Sequence, residues 1–338
     1  MAITMKDIAR DLGVSVVTVS KVLRNHSDIS AKTRKRVQQR MKELNYLPNP
    51  SARALHSGRT NLIGLIVPDL VHPFFSLVAK GISVWLRAKK YGLIISSSED
   101  DPQLENSEIQ QMLTRRVDAL ILASTQSNPH SLRKIEQQGV PFILLDRKVP
   151  HLQANFVGID DFVAGEQATN HLIEVGCKTI AHIAGPKVST ALNRLAGYTQ
   201  TLAKHGLTLP APYVVSGRHM DDRGDAAGYA GMKQLLQCNP LPDGVFCAND
   251  AIAIGAMRAI LEAGLKIPQE IAVVGCGNLH YDDFLLVPLT SIDQDSSGLG
   301  ASAAELAFTM IKDRAPCASK TILLRSKLVI RASSQRRM

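Results

Sequence analysis

Residues 15–21, near the N-terminus, carry the side chains best suited to bind a nucleic acid. Hydroxyl, methyl and ammonium groups follow one another there, at Ser15, Val16, Val17, Thr18, Ser20 and Lys21. Hydroxyl and ammonium groups bond phosphate oxygens and base edges, and valine methyl groups can pack on thymine methyls in the major groove. The run predicts DNA recognition, provided that a helix presents these side chains outward.

Two short helices would position the run. Thr4 can cap the first helix at a backbone N–H of its first turn, with Asp7 completing the cap, and Gly13 ends that helix. Ser15 is a second N-cap and opens the helix that carries the run. Buried faces are predicted at Ile8, Ala9 and Leu12 of the first helix and at Val19, Val22 and Leu23 of the second.

Two short helices joined by a turn that contains Gly13 form the helix-turn-helix pattern. An ordinary two-helix hairpin in a protein core is the alternative, and net charge argues against it. Residues 1–60 hold 12 Lys and Arg against 4 Asp and Glu, a net charge of +8, whereas the rest of the chain holds 27 against 26. Positive charge concentrated in this way favours phosphate binding.

The stretch "TMKDIARDLGVSVVTVSKVLRNHSDISAKTRKRVQQRMKELNYLPN" closely resembles the headpiece of the LacI (lactose repressor) family of bacterial transcription regulators. The third helix is expected from the N-cap Ser30 through residues 31–44. The resemblance implies a dimer that binds a palindromic operator in double-stranded DNA, most often as a repressor. It assigns DNA contacts to Thr4, Ser15, Val16, Val17, Thr18, Ser20, Lys21, Asn25, Thr33, Tyr46, Asn49, Ala52 and Leu55.

Residues 47–55 match the hinge helix of that family. Asn49 is a suitable N-cap and Pro50 a suitable first helical residue, but the run that follows is too short to be helical alone in water. In the family, DNA and the second subunit hold this helix, and Leu55 occupies the position of the leucine that enters the minor groove. An ordinary linker is the alternative interpretation.

Beyond Thr60, apolar strand candidates alternate with amphipathic helix candidates. This alternation predicts parallel sheets covered by helices on both faces, and the number of strands favours two doubly wound lobes over one sheet. The LacI resemblance covers nearly the entire chain and implies the two-lobed periplasmic-binding-protein type I fold. The predicted domains are a headpiece at 1–48, a hinge at 49–60 and an effector domain at 61–338, with one lobe at 61–159 and 293–320 and the other at 160–292 and 321–331.

Ligands of open α/β lobes bind outside the carboxyl ends of the strands, and several polar or aromatic residues follow predicted strands there. The family's pocket for a sugar or related small-molecule effector corresponds to Phe74, Phe75, Asp146, Arg194, Asn249 and Asn278. Arg194 is the one basic side chain in this set, and its guanidinium can fork onto two ligand oxygens. Taken singly, a strand-end Asp is more often a helix cap and an isolated Arg more often a surface ion pair.

The chain departs from its sugar-binding relatives after the strand that ends at Gly275. Those relatives usually read Gly-(Tyr/Phe)-Asp-Asp, whereas this chain reads Gly275-Cys276-Gly277-Asn278 and lacks the matching carboxylate. Asn278 could substitute in part. Asp282 and Asp283 are expected to be solvated or to act as caps.

Other classes of protein fit the sequence less well. No apolar run of membrane-spanning length and no signal region is found, so a cytoplasmic protein is expected and a solute-binding protein is disfavoured. The five cysteines show no Cys-x-x-Cys spacing and are expected to be buried apolar side chains. No nucleophile elbow, phosphate loop, metal-ligand spacing or cofactor motif is present, so neither an enzyme nor a bound cofactor is predicted. A global regulator controlled by a phosphocarrier protein remains an alternative to the effector-gated repressor.

Overall fold

A computed structural model describes residues 3–46, 58–207, 211–216, 224–313 and 318–336 of the protein. The chain divides into two compact units, one that ends at Thr60 and one that begins at Asn61.

The described residues of the first unit form three helices, α1 (Met5–Leu12), α2 (Val16–Leu23) and α3 (Ala31–Glu43). The predicted caps are confirmed: Thr4 and Asp7 form a reciprocal capping box, and Gly13 ends α1 in the left-handed conformation at φ +62°. Ser15 and Ser30 cap α2 and α3 by accepting backbone N–H groups. A small core holds the three helices together through Ile8, Ala9, Val19, Val22 and Val37. Leu12 and Leu23, predicted to be buried, are only half-buried.

The described part of the second unit contains two sheets. The elements of the first lobe are β1 (Leu62–Val67), α4 (Pro73–Ala88), β2 (Gly92–Ser97), α5 (Pro102–Thr114), β3 (Ala119–Leu122), α6 (His130–Gln137), β4 (Phe142–Leu145) and β5 (Asn155–Ile159). Those of the second lobe are α7 (Asp161–Glu174), β6 (Ile180–Ala184), α8 (Ser189–Lys204), β7 (Val214–Ser216), α9 (Gly224–Leu235), β8 (Gly244–Cys247), α10 (Asp250–Glu262), β9 (Ala272–Cys276) and β10 (Thr290–Asp293). The chain ends with α11 (Ser296–Asp313), β11 (Thr321–Leu324) and β12 (Lys327–Val329), and short 3-10 turns lie at Ala211–Tyr213 and Asp282–Phe284.

The strand order is β11-β5-β4-β3-β1-β2 in the first sheet and β12-β10-β9-β8-β6-β7 in the second. All pairs are parallel except β10 with β12. Apolar clusters cover both faces of each sheet. The predicted architecture of two doubly wound lobes is therefore confirmed.

Two details of the predicted lobes are corrected. β11 pairs with β5, so residues 321–324 belong to the first lobe, and the last crossing lies between β11 and β12 rather than near residue 320. The helix α6 was not predicted at all. In the part of the chain that the structure describes, no helix is long and apolar enough to cross a membrane.

Candidate DNA interface and effector site

The second helix of the first unit presents apolar side chains on two opposite faces. Val19 and Val22 are buried in the three-helix core, and Val19 has no exposed surface. On the other face, Val16 is exposed, and Val17 exposes 61% of its surface. Two neighbouring exposed valines beside Lys21 form a small apolar area of the kind that can contact thymine methyl groups.

Lys21 stands on the same helix, and its ammonium is not free. Its Nζ contacts the carboxylate of Asp28, which lies between α2 and α3. The contact holds the pKa of Asp28 below its usual range, mainly through the hydrogen bond from Lys21. Any base contact by Lys21 must therefore be made with Asp28 beside it.

Most of the hydroxyl-bearing candidates for DNA contact lie in or just before the first turn of a helix, where Thr4 and Ser15 are N-caps. The Thr4 hydroxyl donates to Asp7 Oδ2 at 2.7 Å, the Ser15 and Thr18 hydroxyls lie 2.9 Å apart, and Thr33 accepts from Ser30 Oγ at 2.9 Å. These hydroxyls sit at helix N-termini, where backbone N–H groups are also free to bind phosphate.

The remaining candidates for DNA contact differ from one another in burial and in hydrogen-bond partners. Ser20 Oγ accepts from Arg24, and Asn25 Oδ1 accepts from Arg34, which leaves the Asn25 amide NH₂ available. Tyr46 is half-buried against the small core, and desolvation raises the pKa of its phenol. Asn49, Ala52 and Leu55 lie outside the described residues.

Asp146 directly follows β4 and lies at the carboxyl edge of the first sheet, as the sequence predicted. Its backbone is left-handed, at φ +63°, and its side chain is nearly buried. Burial, and then the nearby charge of Asp161, raise the pKa of the Asp146 carboxyl to about 6, although Arg194 and Arg147 oppose the shift. Among the described residues, none donates a hydrogen bond to this carboxylate. Asp146 is therefore an acceptor with unused capacity.

Arg194, on α8, has a different environment from the one predicted. It is buried, and it pairs with the equally buried Asp161 through Nε at 2.8 Å and Nη2 at 2.7 Å. Its Nη1 donates to the carbonyl oxygen of Ala248 at 2.6 Å, and its Nη2 donates to Gln294 Oε1 at 3.0 Å. The guanidinium thus joins α7, the end of β8 and the crossing after β10, and is already bonded at all three nitrogens.

Asp161 and Gln294, which complete the environment of Arg194, were not predicted. Both lie at predicted lobe crossings, and that position was the only available signal. His72, which caps α4 by accepting the Phe74 N–H at 3.3 Å, was not predicted either. The His72 ring packs edge-on against Phe75, with 5.8 Å between centroids, and burial lowers the pKa of this imidazole. Phe74 and Phe75 themselves belong to the apolar core of the first lobe.

Asn249 and Asn278 carry structural bonds in addition to any contact with a ligand. Asn249 caps α10, since its Oδ1 accepts the Ile252 N–H at 2.9 Å. Asn278 Oδ1 accepts from Arg331 Nη2 at 2.8 Å, and its own backbone N–H donates to Ser291 Oγ. The amide NH₂ group of each side chain is the part that remains for a ligand.

The glycine in place of the expected pocket carboxylate has a steric reason. A Cβ at Gly277 would lie 2.5 Å from Asp250 Oδ2, and one at Gly275 would lie 2.2 Å from Asp250 Oδ1. Asp250 is buried there and accepts from Ser291 Oγ at 2.6 Å. Its carboxylate fills the volume that side chains at these two positions would need.

Asp282 and Asp283 differ in environment. Asp282 is fully buried and accepts the Leu279 N–H at 2.8 Å, so of the two expected roles it acts as a cap and is not solvated. Burial and the adjacent Asp250 raise the pKa of Asp282 to about 8. Asp283 is exposed and pairs with Arg331.

The cysteines are apolar in character where the structure describes them. Cys177, Cys247 and Cys276 are buried, Cys238 is half-buried, and no disulfide joins these four thiols. Burial raises the pKa of the Cys276 thiol to about 12. Within the described ranges, no group of three or more His, Cys, Asp or Glu side chains is placed to hold a metal ion.

Family comparisons agree with both units. Residues 4–49 match the family described as bacterial regulatory proteins, lacI family, and residues 60–329 match the periplasmic binding proteins and sugar binding domain of the LacI family. This chain belongs to the LacI family. It is therefore a LacI-family transcriptional regulator, built from a helix-turn-helix domain and an effector-binding domain, and the family is not enzymatic.

Curated relatives and solved structures resemble this LacI-family chain over most of its length. The ribose operon repressor of Escherichia coli K12 is 34% identical over 90% of this chain and 91% of its own. The transcriptional repressor CytR of the same organism is 33% identical over 99% of this chain and 97% of its own. The lac repressor dimer bound to operator and the anti-inducer ONPF superposes with a TM-score of 0.89 at 28% identity, covering 99% of this chain and 100% of that one.

Proposed function

We propose that this LacI-family regulator acts in the cytoplasm as a homodimeric repressor of a palindromic operator, controlled by a neutral, hydroxyl-rich small molecule bound between its two lobes. The observation that carries DNA recognition is α2, where exposed Val16 and Val17 accompany Lys21 while Val19 and Val22 form the core. A helix of this kind fits the major groove with methyl and ammonium groups toward base edges.

Base readout is assigned to Val16, Val17 and Lys21, and phosphate contact to Ser15, Thr18, Thr33, Tyr46 and Asn49. Lys21→Ala should cost about 1–3 kcal/mol of operator affinity at one base pair per half-site. The measurement is a titration of wild type and variant against an operator and its single-base variants. A loss of equal size on every duplex would make Lys21 a phosphate contact instead.

The hinge contacts of Ala52 and Leu55 stay a prediction, with Leu55 entering the minor groove and bending the operator. Unstacking one base step costs a few kcal/mol, which the additional contacts in a bent complex offset. A DNA-bending assay with wild type and Leu55→Ala checks this. An unbent operator in the wild-type complex would rule out the wedge.

Dimer formation is supported by an exposed apolar loop on the second lobe and by the dimeric state named for the lac repressor. Phe284 and Leu286 expose 84% and 88% of their surfaces. Large apolar side chains this exposed are typical of surfaces that a partner covers. Leu286→Asp should shift the protein toward monomer in sedimentation, whereas the same change at Leu192, an exposed residue of α8, should not.

The effector class follows from the charges around the cleft. Arg194 is neutralised by Asp161 and bonded at all its nitrogens, so it offers little to an anionic ligand. Asp146 has unused acceptor capacity and would repel an anion. A ligand that donates hydroxyl groups to Asp146 satisfies both conditions, and the ribose operon repressor among the relatives makes pentoses the first compounds to test.

The test is a thermal-shift screen of neutral sugars, polyols and nucleosides beside their phosphorylated and oxidised counterparts, followed by operator titration with each hit. Neutral ligands should raise the melting temperature and change operator affinity, because a ligand shifts the lobes through its differential affinity for their two arrangements. A phosphorylated or acidic compound that binds more tightly than its neutral parent would contradict the assigned ligand class.

A further inference from the structure

We propose that Asp28 determines operator specificity as a positioning residue that holds the ammonium of Lys21 in place for base readout. The proposal rests on the proposed function of α2 and goes beyond it. It assigns a selective role to an acidic side chain on a DNA-binding unit whose net charge is +8.

The Asp28 carboxylate is exposed, and its partner in the first unit is Lys21 Nζ. The two side chains come from different segments, since Lys21 lies in α2 and Asp28 seven residues later, before α3. An exposed ion pair contributes little to folding stability. Its effect is therefore expected in how Lys21 meets DNA rather than in whether the unit folds.

The segment that carries Asp28 is fixed on both sides. Arg34 of α3 donates from Nη1 to Asn25 Oδ1 and from Nη2 to the His26 carbonyl oxygen, each at 2.6 Å. The His26 N–H donates to the Lys21 carbonyl oxygen at 3.1 Å, which ties the segment to α2. On the other side of Asp28, Ile29 packs against the small core. The carboxylate is thus presented by a backbone with little freedom.

A lysine ammonium has three N–H donors on a flexible stem. When one donor is held by Asp28, two remain for the O6 and N7 acceptors of a guanine, and the stem is already ordered. Without Asp28 the same ammonium is free to reach any phosphate oxygen nearby. Asp28 therefore favours the guanine contact over contacts that carry no sequence information.

The carboxylate also acts against incorrect duplexes. DNA presents closely spaced negative charges, and an acidic side chain beside the recognition helix is repelled by them on every sequence. Discrimination between partners is often gained by such a repulsive element together with an attractive one. Asp28 should weaken binding to random DNA more than binding to the operator, where Lys21 is fully bonded between guanine and Asp28.

The experiment uses the full-length protein and a duplex selected from random sequences by the wild type. Dissociation constants are measured by fluorescence anisotropy for this duplex, for versions with each guanine replaced, and for a random duplex. The variants are Asp28→Asn, Lys21→Ala and the double variant. Asp11→Asn is the matched control, because Asp11 is another acidic residue of this unit and pairs with Arg40, not with Lys21.

Asp28→Asn should tighten binding to the random duplex at least threefold and reduce discrimination at one guanine by about threefold to tenfold, within the range for a single base contact. Asp11→Asn should change the dissociation constants of all duplexes by one common factor. In the Lys21→Ala background, Asp28→Asn should no longer alter discrimination at that guanine.

Three results would overturn the role of Asp28: unchanged discrimination in Asp28→Asn, the same pattern in Asp11→Asn, or a persistent effect in the absence of Lys21. Failure of the underlying function would look different, because Lys21→Ala would then lower affinity equally for every duplex. Circular dichroism melts of each variant confirm that the first unit is folded.

Discussion

Removal of the Arg194 guanidinium should destabilise the second unit even when no ligand is bound. Arg194 and Asp161 expose only 7% and 6% of their side chains, and their bonds also reach Ala248 and Gln294. Breaking a buried pair by deleting one partner leaves the other charge uncompensated and costs about 3–5 kcal/mol. Arg194→Met, which retains much of the apolar stem, should lower the free energy of unfolding by that amount.

The pairwise origin of this loss can be isolated with Asp161→Asn, which removes the buried charge and keeps the side-chain volume. If the ion pair dominates, the double variant should be more stable than the sum of the single effects by about 2–3 kcal/mol. The measurement is urea unfolding of ligand-free protein, followed by a signal from the second unit. A cost below about 1 kcal/mol for Arg194→Met, or single effects that add within about 0.5 kcal/mol, would refute this account.

The loss should also depend on pH. Burial raises the pKa of Asp161 and Arg194 opposes the shift, so removal of Arg194 raises this pKa further. A carboxyl with a raised pKa in the folded protein takes up a proton while the unfolded chain is still ionised, which stabilises the folded state as pH falls. The cost of Arg194→Met should therefore be smaller at pH 5 than at pH 7.5.

Three further predictions concern single positions. The Asp146 carboxyl, with a pKa of about 6, accepts hydrogen bonds from ligand hydroxyls when it is ionised. Calorimetry should therefore show effector affinity falling up to tenfold per pH unit below about pH 6, and Asp146→Asn should remove this pH dependence. Val17→Ala should change the free energy of unfolding by no more than about 0.5 kcal/mol but weaken operator binding. Val19→Ala, on the buried face of the same helix, should lower the free energy of thermal unfolding by roughly 2 kcal/mol. If Val17→Ala were instead the more destabilising change, the wrong face of α2 would have been assigned to DNA. Gly277→Ala should cost about 1–3 kcal/mol more in urea unfolding than Gly264→Ala, because both have positive φ but only Gly277 has a carboxylate within 2.5 Å of the added Cβ; equal costs would mean that the carboxylate moves aside freely.

Local signals made most of the fold predictable. The caps at Thr4, Ser15 and Ser30 and the stop at Gly13 act within three or four residues, so their residue types are sufficient to place α1, α2 and the start of α3. Long apolar strands alternating with helices likewise required two covered parallel sheets. The helix α6 was missed because it begins after Pro129 without a side-chain cap and is short and polar.

Long-range pairing was not predictable in the same way. The strand β11 has an edge position available in either sheet, and only its register with β5 places it in the first lobe. The burial of Asp282 beside Asp250 depends on a loop brought over the N-terminus of α10, where the Leu279 N–H donates to both carboxylates.

The sequence by itself determined that this protein presents Val16, Val17 and Lys21 on a capped helix and that polar residues lie at the carboxyl ends of its strands. Only the tertiary structure decided what those polar residues are free to do. Arg194 meets an acceptor 33 residues earlier and others 54 and 100 residues later in the chain, and these pairings consume the bonds that the sequence assigned to a ligand. The type of a side chain determines how many hydrogen bonds it can form, whereas the folded chain determines which of them remain open.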